Sequence, residues 1–380
     1  MLALAAMIAV AADRPAPNGR NEAIHRAART LAATEQQFGA ADGTGLYRDV
    51  YPHGRREAHY SDEWPFSQVH AGVLDLAGAS LPRSPAIEAA LDKHDEAQGR
   101  YWSDHSADGH GGFLSRVTSS NGASGDLYYD DNAWVGLAAM QRWLVFHDTA
   151  SIDRARRIFE LLRSAWDDDP GHPSPGGLFW TQAPGNRDRN TVSNMPVAEL
   201  GVRLFQATGD RAYLTDALRF YAWTNCALQR PDGLYLDHLD LHGKIDGRIF
   251  TYNQGVPVGV NVLLYKATGE GRYLAEARRI ADVSYAYFIR GGRLDSQSVA
   301  FNAIYFKNLL LLESVIGGSR FHDAMRDYSQ HMWRRYRDPT TGLFRSPRDR
   351  ERVFHVIDQG AMIQIDAVLG WDPAKYPLLY

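Results

Sequence analysis

The stretches LFQATGDRAYLTDALRFYAW (204–223) and LLYKATGEGRYLAEARRIAD (263–282) are two copies of one helix-turn-helix unit. Both contain the letters ATG at the same place, between a largely apolar segment and a more polar one. Gly209 and Gly269 therefore stand where a left-handed glycine ends a helix, and Asp210 is placed to cap the next helix. This unit predicts helical hairpins as the building block of the chain.

The polar half of the first copy carries the apolar stripe of a helix that packs on one side. Leu214, Ala217, Leu218 and Tyr221 follow the spacing i, i+3, i+4 and i+7. A glycine-led turn follows each such helix, and six of these turns recur at roughly the length of one hairpin with a long loop. They are Gly45-Leu46-Tyr47, Gly112-Phe113-Leu114, Gly177-Leu178-Phe179, Gly233-Leu234-Tyr235, Gly292-Arg293-Leu294 and Gly342-Leu343-Phe344.

The repeat predicts an all-α protein, an (α/α)6 toroid or barrel of six helical hairpins, and no run of alternating residues indicates a strand. We expect amphipathic outer helices near 20–38, 84–101, 150–166, 211–229, 271–289 and 320–336. More apolar inner helices are expected near 65–78, 131–146, 194–207, 252–267, 300–316 and 354–370. All inner helices would then run in one direction, with their N-termini around one mouth. Residues 20–380 form a single domain in this interpretation.

Composition excludes several classes of partner. The chain has 380 residues and a net charge of −4, without basic runs, which argues against nucleic acid. Residues 1–19 contain an apolar stretch followed by a linker, with Ala9-Val10-Ala11 as a candidate cleavage site for a signal peptide. We therefore expect a secreted or cell-envelope protein. A cytoplasmic location is the alternative, because the start of the segment lacks the positive charge of a signal peptide. No later segment is expected to cross a membrane, since charges interrupt each apolar stretch. The mature protein is expected to be a monomer.

Short polar and aromatic segments precede the predicted inner helices, and these would surround the mouth. They are SDEWPFSQ (61–68), YYDDNAW (128–134), NTVSNMP (190–196), FTYNQGV (250–256), SQSVAFN (296–302) and VFHVIDQG (353–360). Sugars stack their C–H faces on aromatic rings and need hydrogen-bonding partners for their hydroxyls. The mouth is therefore expected to bind a carbohydrate.

The pair Asp130-Asp131 stands at one of these helix entries. One interpretation is structural: Asp130 caps the helix and Asp131 lies in its first turn, where the helix dipole favours negative charge. The other is catalytic, because hydrolysis of a glycosidic bond uses two carboxyl groups. Both could face one sugar if Asp130 keeps non-helical dihedrals at the helix entry. Repulsion between them should then separate their pKa values into a base and an acid.

The motifs YYDDNAW, WPFSQ (64–68), NTVSN (190–194) and TYNQG (251–255), in this order within the repeat, resemble those of glycoside hydrolase family 76, the endo-α-1,6-mannanases. The resemblance covers about residues 22–371. It implies retaining cleavage of a mannan or of another mannose-containing oligosaccharide or lipoglycan, without a cofactor. Asp130 would be the nucleophile and Asp131 the general acid/base. The implied substrate-binding residues are Trp64, Tyr128, Asn194, Asp237, Tyr252 and Asn253.

Two other functions remain open at this point. A sugar epimerase or isomerase on the same toroid would need facing histidine bases, for which His238 and His355 are candidates. A non-catalytic glycan-binding protein would keep the cleft without the chemistry. No metal site is predicted, although His105, Asp108 and His110 are close in sequence and the loop 166–173 is acidic; we interpret that loop as a solvated helix exit.

Overall fold

The computed structural model describes residues 19–54, 59–79, 85–105, 109–185, 187–349 and 353–380, so the predicted N-terminal apolar segment lies outside the described residues except for Gly19. Twelve α-helices of the described chain alternate between an outer, odd-numbered set and an inner, even-numbered set. The outer helices are α1 (Arg20–Phe38), α3 (Pro85–Gln98), α5 (Thr149–Ser164), α7 (Arg211–Leu228), α9 (Gly271–Ser284) and α11 (Arg320–Arg335). The inner helices are α2 (Glu63–Ala79), α4 (Tyr129–Phe146), α6 (Thr191–Thr208), α8 (Tyr252–Thr268), α10 (Val299–Ile316) and α12 (Val356–Leu369).

The inner helices form a closed ring in chain order, because each packs on the next and α12 packs on α2. The outer helices pack against them from outside, with only their apolar stripes buried. The inner helices are instead buried along most of their length, which explains their apolar composition. The predicted (α/α)6 toroid is therefore confirmed, with helix bounds within a few residues of those expected.

The turns at the far end of the ring have the predicted caps. Gly209 and Gly269 end α6 and α8 with φ of 76° and 75°, a conformation that only glycine adopts without strain. Asp210 begins α7 as predicted, and its carboxylate accepts a hydrogen bond from the N–H of Ala212 at 2.9 Å.

A buried amide side chain ties each of several glycine-led turns to the following inner helix. Asn132 accepts from the N–H of Phe113 at 2.8 Å and donates to the carbonyl of Phe113 at 2.9 Å. It also donates to the carbonyl four residues earlier, at the helix entry. Asn194, Gln254 and Gln359 make the same three contacts in their own repeats. The amides therefore hold each loop against the N-terminus of its helix.

The expectation that the chain has no strands is wrong, since the loops at the mouth contain eight short ones. The longest form the hairpin of β3 (Gly112–Val117) and β4 (Ala123–Leu127), joined by β2 (Trp102–Ser103). The remaining strands have two residues each: β1 (Val50–Tyr51), β5 (Arg189–Asn190), β6 (His238–Leu239), β7 (Ile245–Asp246) and β8 (Phe354–His355). Segments this short are fixed by pairing across loops, which a local alternation pattern does not reveal.

The expectation about apolar segments also needs a correction. By length and composition α10 could cross a membrane, with a mean hydropathy of 1.4 over 18 residues. It is an inner helix, and 78% of that window is buried inside the barrel. Its apolar character is accounted for by the ring of helices around it.

Candidate active site

A cavity of about 630 Å³ opens where the N-termini of the inner helices meet. Its lining combines acidic, basic and aromatic side chains contributed by the helix entries and by the loops between them. It consists of Asp62, Trp64, Pro65, Ser115, Arg116, Gly125, Asp126, Tyr128, Asp130, Asp131, Trp134, Trp180, Asp188, Asn190, Val192, Asp237, His238, Arg248, Phe250, Tyr252 and Phe301. Six of the eight residues predicted for the site are among them.

The other two predicted residues do not line the cavity. Asn194 is fully buried and serves as the amide of its repeat, so it lies behind the lining where the sequence had placed it in the cleft. Asn253 is also buried, and its side-chain N–H donates to Asp237 at 3.1 Å. Asn253 therefore supports a lining residue and is not itself part of the lining.

The paired aspartates lie in the first turn of α4. The helix begins at Tyr129, and its N-cap residue, Tyr128, makes no side-chain capping bond. Asp130 is therefore not a cap, and the expectation that it keeps non-helical dihedrals is wrong. The entry is fixed instead by the N–H of Tyr129, which donates to the carbonyl of Trp180 at 2.9 Å, and by Asn132. Both carboxyls face the cavity from this position.

The surroundings of the pair act differently on the pKa values of the two carboxyls. Burial raises the pKa of Asp130 to about 7, while the side chain of Trp180 and the backbone N–H groups of the first helical turn favour its ionised form. Burial also raises the pKa of Asp131, to well above its ordinary value, and the charges of Asp130 and Glu63 raise it further. One Oδ atom of Asp130 is buried and has no hydrogen-bond partner among the described residues. The charge of Asp130 thus opposes the ionisation of Asp131.

Two groups of aromatic rings form walls beside the carboxyls. Tyr252 stacks on Phe301 with the ring centroids 3.8 Å apart and nearly parallel, and Trp64 contacts the same Phe301 ring. Elsewhere in the lining Tyr128 packs against Trp180, with centroids 5.0 Å apart. Such surfaces suit the C–H faces of a pyranose ring.

Asp237 is held in place by three donors. It accepts from Asn253 at 3.1 Å, from Arg248 at 3.3 Å and from the Nδ1 atom of His238 at 3.0 Å. This last contact raises the pKa of His238. Asp237, His238 and Asp246 could each direct a ligand atom toward one metal ion. The guanidinium of Arg248 binds both carboxylates, so a side chain of the protein offsets part of their negative charge.

The loops considered for metals have other roles. In loop 166–173 the carboxylate of Asp167 is buried against Arg189 at 2.9 Å, so the solvated interpretation is wrong for this residue, while Asp168 and Asp169 are exposed. Asp108 lies outside the described residues. His105 is exposed.

Several lining residues were not predicted from the sequence. Phe301 stands in the quoted segment 296–302, in the first turn of α10, and this place at the mouth could have identified it. Trp180, Asp188 and Arg248 come from the long loops, where no helical register applies. The β3–β4 hairpin adds Ser115, Arg116, Gly125 and Asp126.

A six-hairpin barrel whose mouth holds paired carboxyls between aromatic walls defines the class of carbohydrate-binding (α/α)6 proteins with an acidic centre. Residues 109–342 match the family model of glycosyl hydrolase family 76, and the chain belongs to this family.

Known proteins resemble the chain in sequence and in fold. Mannan endo-1,6-alpha-mannosidase DCW1 of Saccharomyces cerevisiae is 27% identical over 187 residues, which cover 43% of this chain and 39% of the yeast protein. The chain therefore matches only about two fifths of that relative's length. The family 76 mannosidase Bt3792 of Bacteroides thetaiotaomicron has a TM-score of 0.82 at 20% identity, covering 92% of this chain and 98% of that one.

A second solved structure carries a sugar. It is an inactive variant of the α-1,6-mannanase GH76A of Salegentibacter sp. HEL1_6, with two aspartates changed to asparagine, in complex with α-1,6-mannotriose. It has a TM-score of 0.73 at 19% identity and covers 92% of this chain and 99% of that one. These similarities agree with the toroid described above.

Proposed function

We propose that the protein cleaves α-1,6-mannosidic linkages inside a mannan chain with retention of anomeric configuration. The observation that carries this proposal is the pair Asp130 and Asp131, which line one cavity and whose pKa values are both raised by burial. Membership of family 76 supports it, as do the activity for which the yeast relative is named and the mannotriose bound to the Salegentibacter enzyme.

The surroundings of the pair support one assignment of the two roles. Asp130 is the nucleophile, because the side chain of Trp180 and the backbone N–H groups of the helix N-terminus favour its charged form. Asp131 is the general acid, because the negative charges around it keep its proton in place. A proton-bearing carboxyl beside an ionised one is the arrangement that a retaining glycosidase needs.

The reaction then has two displacements. In the first, a carboxylate oxygen of Asp130 bonds to the anomeric carbon, the bond to the departing sugar oxygen breaks, and Asp131 gives that oxygen its proton. In the second, the Asp131 carboxylate takes a proton from water as the water oxygen bonds to the anomeric carbon and the ester to Asp130 breaks. This route requires carboxyl groups about 5–5.5 Å apart, against about 6.5–9.5 Å for inversion.

The rest of the lining would bind the sugar. Trp64, Tyr128 and Tyr252 offer ring faces to the pyranose, and Asp237 can accept hydrogen bonds from its hydroxyls. The contact from Asn253 fixes the orientation of the Asp237 carboxylate, which limits the sugar orientations that it can bind.

The histidines of an isomerase are not paired across this cavity. His238 lies in the lining and bonds to Asp237. His355 is outside the lining, beside Asp349 at 3.7 Å. A binding protein without catalysis would not need two buried carboxyls that no side-chain cation accompanies, since such groups destabilise the fold.

A linear α-1,6-mannan tests the proposal. We expect new reducing ends from the wild-type protein, with the α-anomer formed first in NMR spectra of the early reaction, and none from Asp131→Asn. Binding of the mannan without new reducing ends would establish the glycan-binding alternative. Conversion of free mannose to another sugar would establish the isomerase, and a β-anomer formed first would overturn retention.

We also propose that the protein acts as a monomer outside the cytoplasm, in the cell envelope or beyond it. A polymeric cell-wall substrate is present there, and all the catalytic and binding groups named above come from one chain. A single species of about 42.5 kDa in light scattering would agree with the monomer.

A further inference from the structure

Glu63 is a buried acid next to the cavity that the two-displacement scheme does not use. It is the first residue of α2, between Asp62 and Trp64, both of which line the cavity. Its own side chain is fully buried. One carboxyl oxygen accepts from the amide of Gln98 at 2.9 Å, and the other has no hydrogen-bond partner among the described residues.

The position of Glu63 in the ring corresponds to that of the catalytic pair. Glu63 begins α2, while Asp130 and Asp131 lie in the first turn of α4, the next inner helix, and the two helices pack together. The first turns of these neighbouring inner helices stand at the same end of the barrel, and the charge of Glu63 acts on the carboxyl of Asp131.

A line of buried polar groups leads away from Glu63. The other end of the Gln98 amide contacts His70 Nδ1 at 3.0 Å, and the remaining nitrogen of His70 lies 3.7 Å from Asp95. Asp95 is bound in turn by Arg142 and Arg154. The outer end of this line is thus neutralised by two arginines, whereas its inner end, at Glu63, meets no cation among the described residues.

The ionisable groups near Glu63 come from several elements. Asp62 precedes it, Asp130 and Asp131 come from α4, and the phenols of Tyr101 and Tyr380 are also within electrostatic range. Burial and the charge of Asp130 raise the pKa of Glu63 to about 8. The charge of Asp130 therefore opposes the ionisation of Glu63, and the charge of Glu63 in turn opposes the ionisation of Asp131.

We propose that Glu63 is a positioning residue that acts through Asp131: once ionised, its negative charge keeps the proton on the Asp131 carboxyl. This inference rests on the proposed glycosidase function, in which Asp131 must hold a proton to start each turnover. The arrangement extends the alkaline range over which the enzyme can protonate its leaving group. Removing the charge should shorten that range without removing either catalytic carboxyl.

The test is the pH dependence of kcat/KM on a linear α-1,6-mannan. Glu63→Gln has the shape of protonated Glu63, so activity at acidic pH should stay within about threefold of wild type. The alkaline limb should move to lower pH by about one unit, because no charge forms near Asp131. A purely structural role would lower activity at every pH and leave the limb in place.

A second variant changes the ionisation of Glu63 indirectly, through its hydrogen-bond donor Gln98. Gln98→Leu removes the hydrogen bond that favours ionised Glu63, so Glu63 stays neutral to higher pH and the alkaline limb should again fall. The matched control is Gln141→Leu. Gln141 also donates to a buried carboxylate, that of Asp75 at 2.7 Å, but far from the cavity, and its loss should leave the limb unchanged.

The outcomes separate this inference from the proposed function. Failure of the wild-type protein to hydrolyse mannan overturns the proposed function. An active wild type with unchanged alkaline limbs in Glu63→Gln and Gln98→Leu overturns only the role of Glu63. A limb that moves in the Gln141→Leu control as well would also overturn it, because the effect would then follow from any lost buried amide.

Discussion

The two ends of the barrel differ in whether their buried charges are paired with an opposite charge. At the closed end, the carboxylate of Asp75 on α2 pairs with Lys307 on α10 at 2.8 Å, and both are almost fully buried. Nearby Glu199 and Arg203 pair along α6 at 2.9 Å. At the open end, the acids of α2 and α4 face one another, and no cation pairs with Glu63, Asp130 or Asp131 among the described residues.

Helix α2 contributes to both arrangements, with Glu63 at the open end and Asp75 at the closed end. A buried charge destabilises a protein strongly unless an opposite charge accompanies it. The closed end meets this requirement, and the pair of Asp75 and Lys307 joins α2 to α10. The open end does not, and burial there raises the pKa values of Asp130 and Asp131, as is common at functional sites.

The largest expected effects come from removing one member of the catalytic pair. Asp131→Ala should lower mannan hydrolysis by at least about 10³-fold, on the order of 4 kcal/mol in the barrier, because the leaving oxygen departs without a proton. With an activated leaving group it should still form the glycosyl-enzyme and stall there. Added azide, which needs no general base, should then release an α-glycosyl azide, identified by NMR.

Asp130→Ala provides the matched comparison at the neighbouring position. It removes the attacking group, so any azide product should arise by direct attack and have the β configuration. Exchanged product configurations would exchange the two roles. Near-normal hydrolysis by both variants would remove the pair from the mechanism.

At the closed end, Lys307→Met should affect stability and not chemistry. It leaves Asp75 buried without its counter-ion, which we expect to lower the free energy of unfolding at pH 7 by about 3–5 kcal/mol in urea titrations. The activity of each folded molecule should stay near that of wild type. Because Asp75 can take up a proton in the variant, the loss should shrink as the pH is lowered toward 5.

The double change Asp75→Leu with Lys307→Met is the control for this prediction. It replaces the ion pair by apolar side chains, so it should recover most of the stability that Lys307→Met loses. If the single variant were as stable as wild type, or the double variant less stable than the single one, the closed end would not depend on charge pairing.

The smallest expected effect is a shift in the pKa of Asp130. Trp180→Phe keeps a ring beside Tyr128 but removes the indole N–H that favours the ionised carboxylate. The pKa of Asp130 should rise, and the acid limb of kcat/KM should move to higher pH by about 0.4–1 unit, the value of one hydrogen bond.

Trp102→Phe is the matched control, since the indole of Trp102 also donates to an aspartate, Asp104 at 2.8 Å, outside the cavity lining. The acid limb should not move in that variant. An acid limb that stayed in place in Trp180→Phe, or moved equally in both, would show that Trp180 does not set the ionisation of Asp130.

The fold was largely predictable because its signals are local. The i, i+3, i+4 stripe of α7 and the left-handed glycines at 209 and 269 depend only on neighbouring residues. The six glycine-led turns, which recur at the length of one hairpin, predicted the ring. The strands at the mouth were not predicted, because they form only where two loops that are distant in sequence pair with each other.

The site was predicted in part, for a related reason. Asp130, Asp131 and Tyr252 stand at helix entries, whose direction follows from the repeat. Asn194 stands at such an entry too, but its three backbone contacts assign it to the fold. A comparison of the repeats would have found this, because an amide recurs at the equivalent position in the first turn of several inner helices.

The sequence by itself determined the helices, their order, the capped turns and the acidic pair at one helix entry, since each of these follows from interactions within about one helical turn. Only the tertiary structure decided which acids are left without a counter-ion. Glu63 and Asp75 are both buried acids of α2. The negative charge of Asp130 acts on Glu63, whereas Asp75 forms an ion pair with Lys307. Their pKa values depend on charges brought close by ring closure, and residues far apart in the sequence supply those charges.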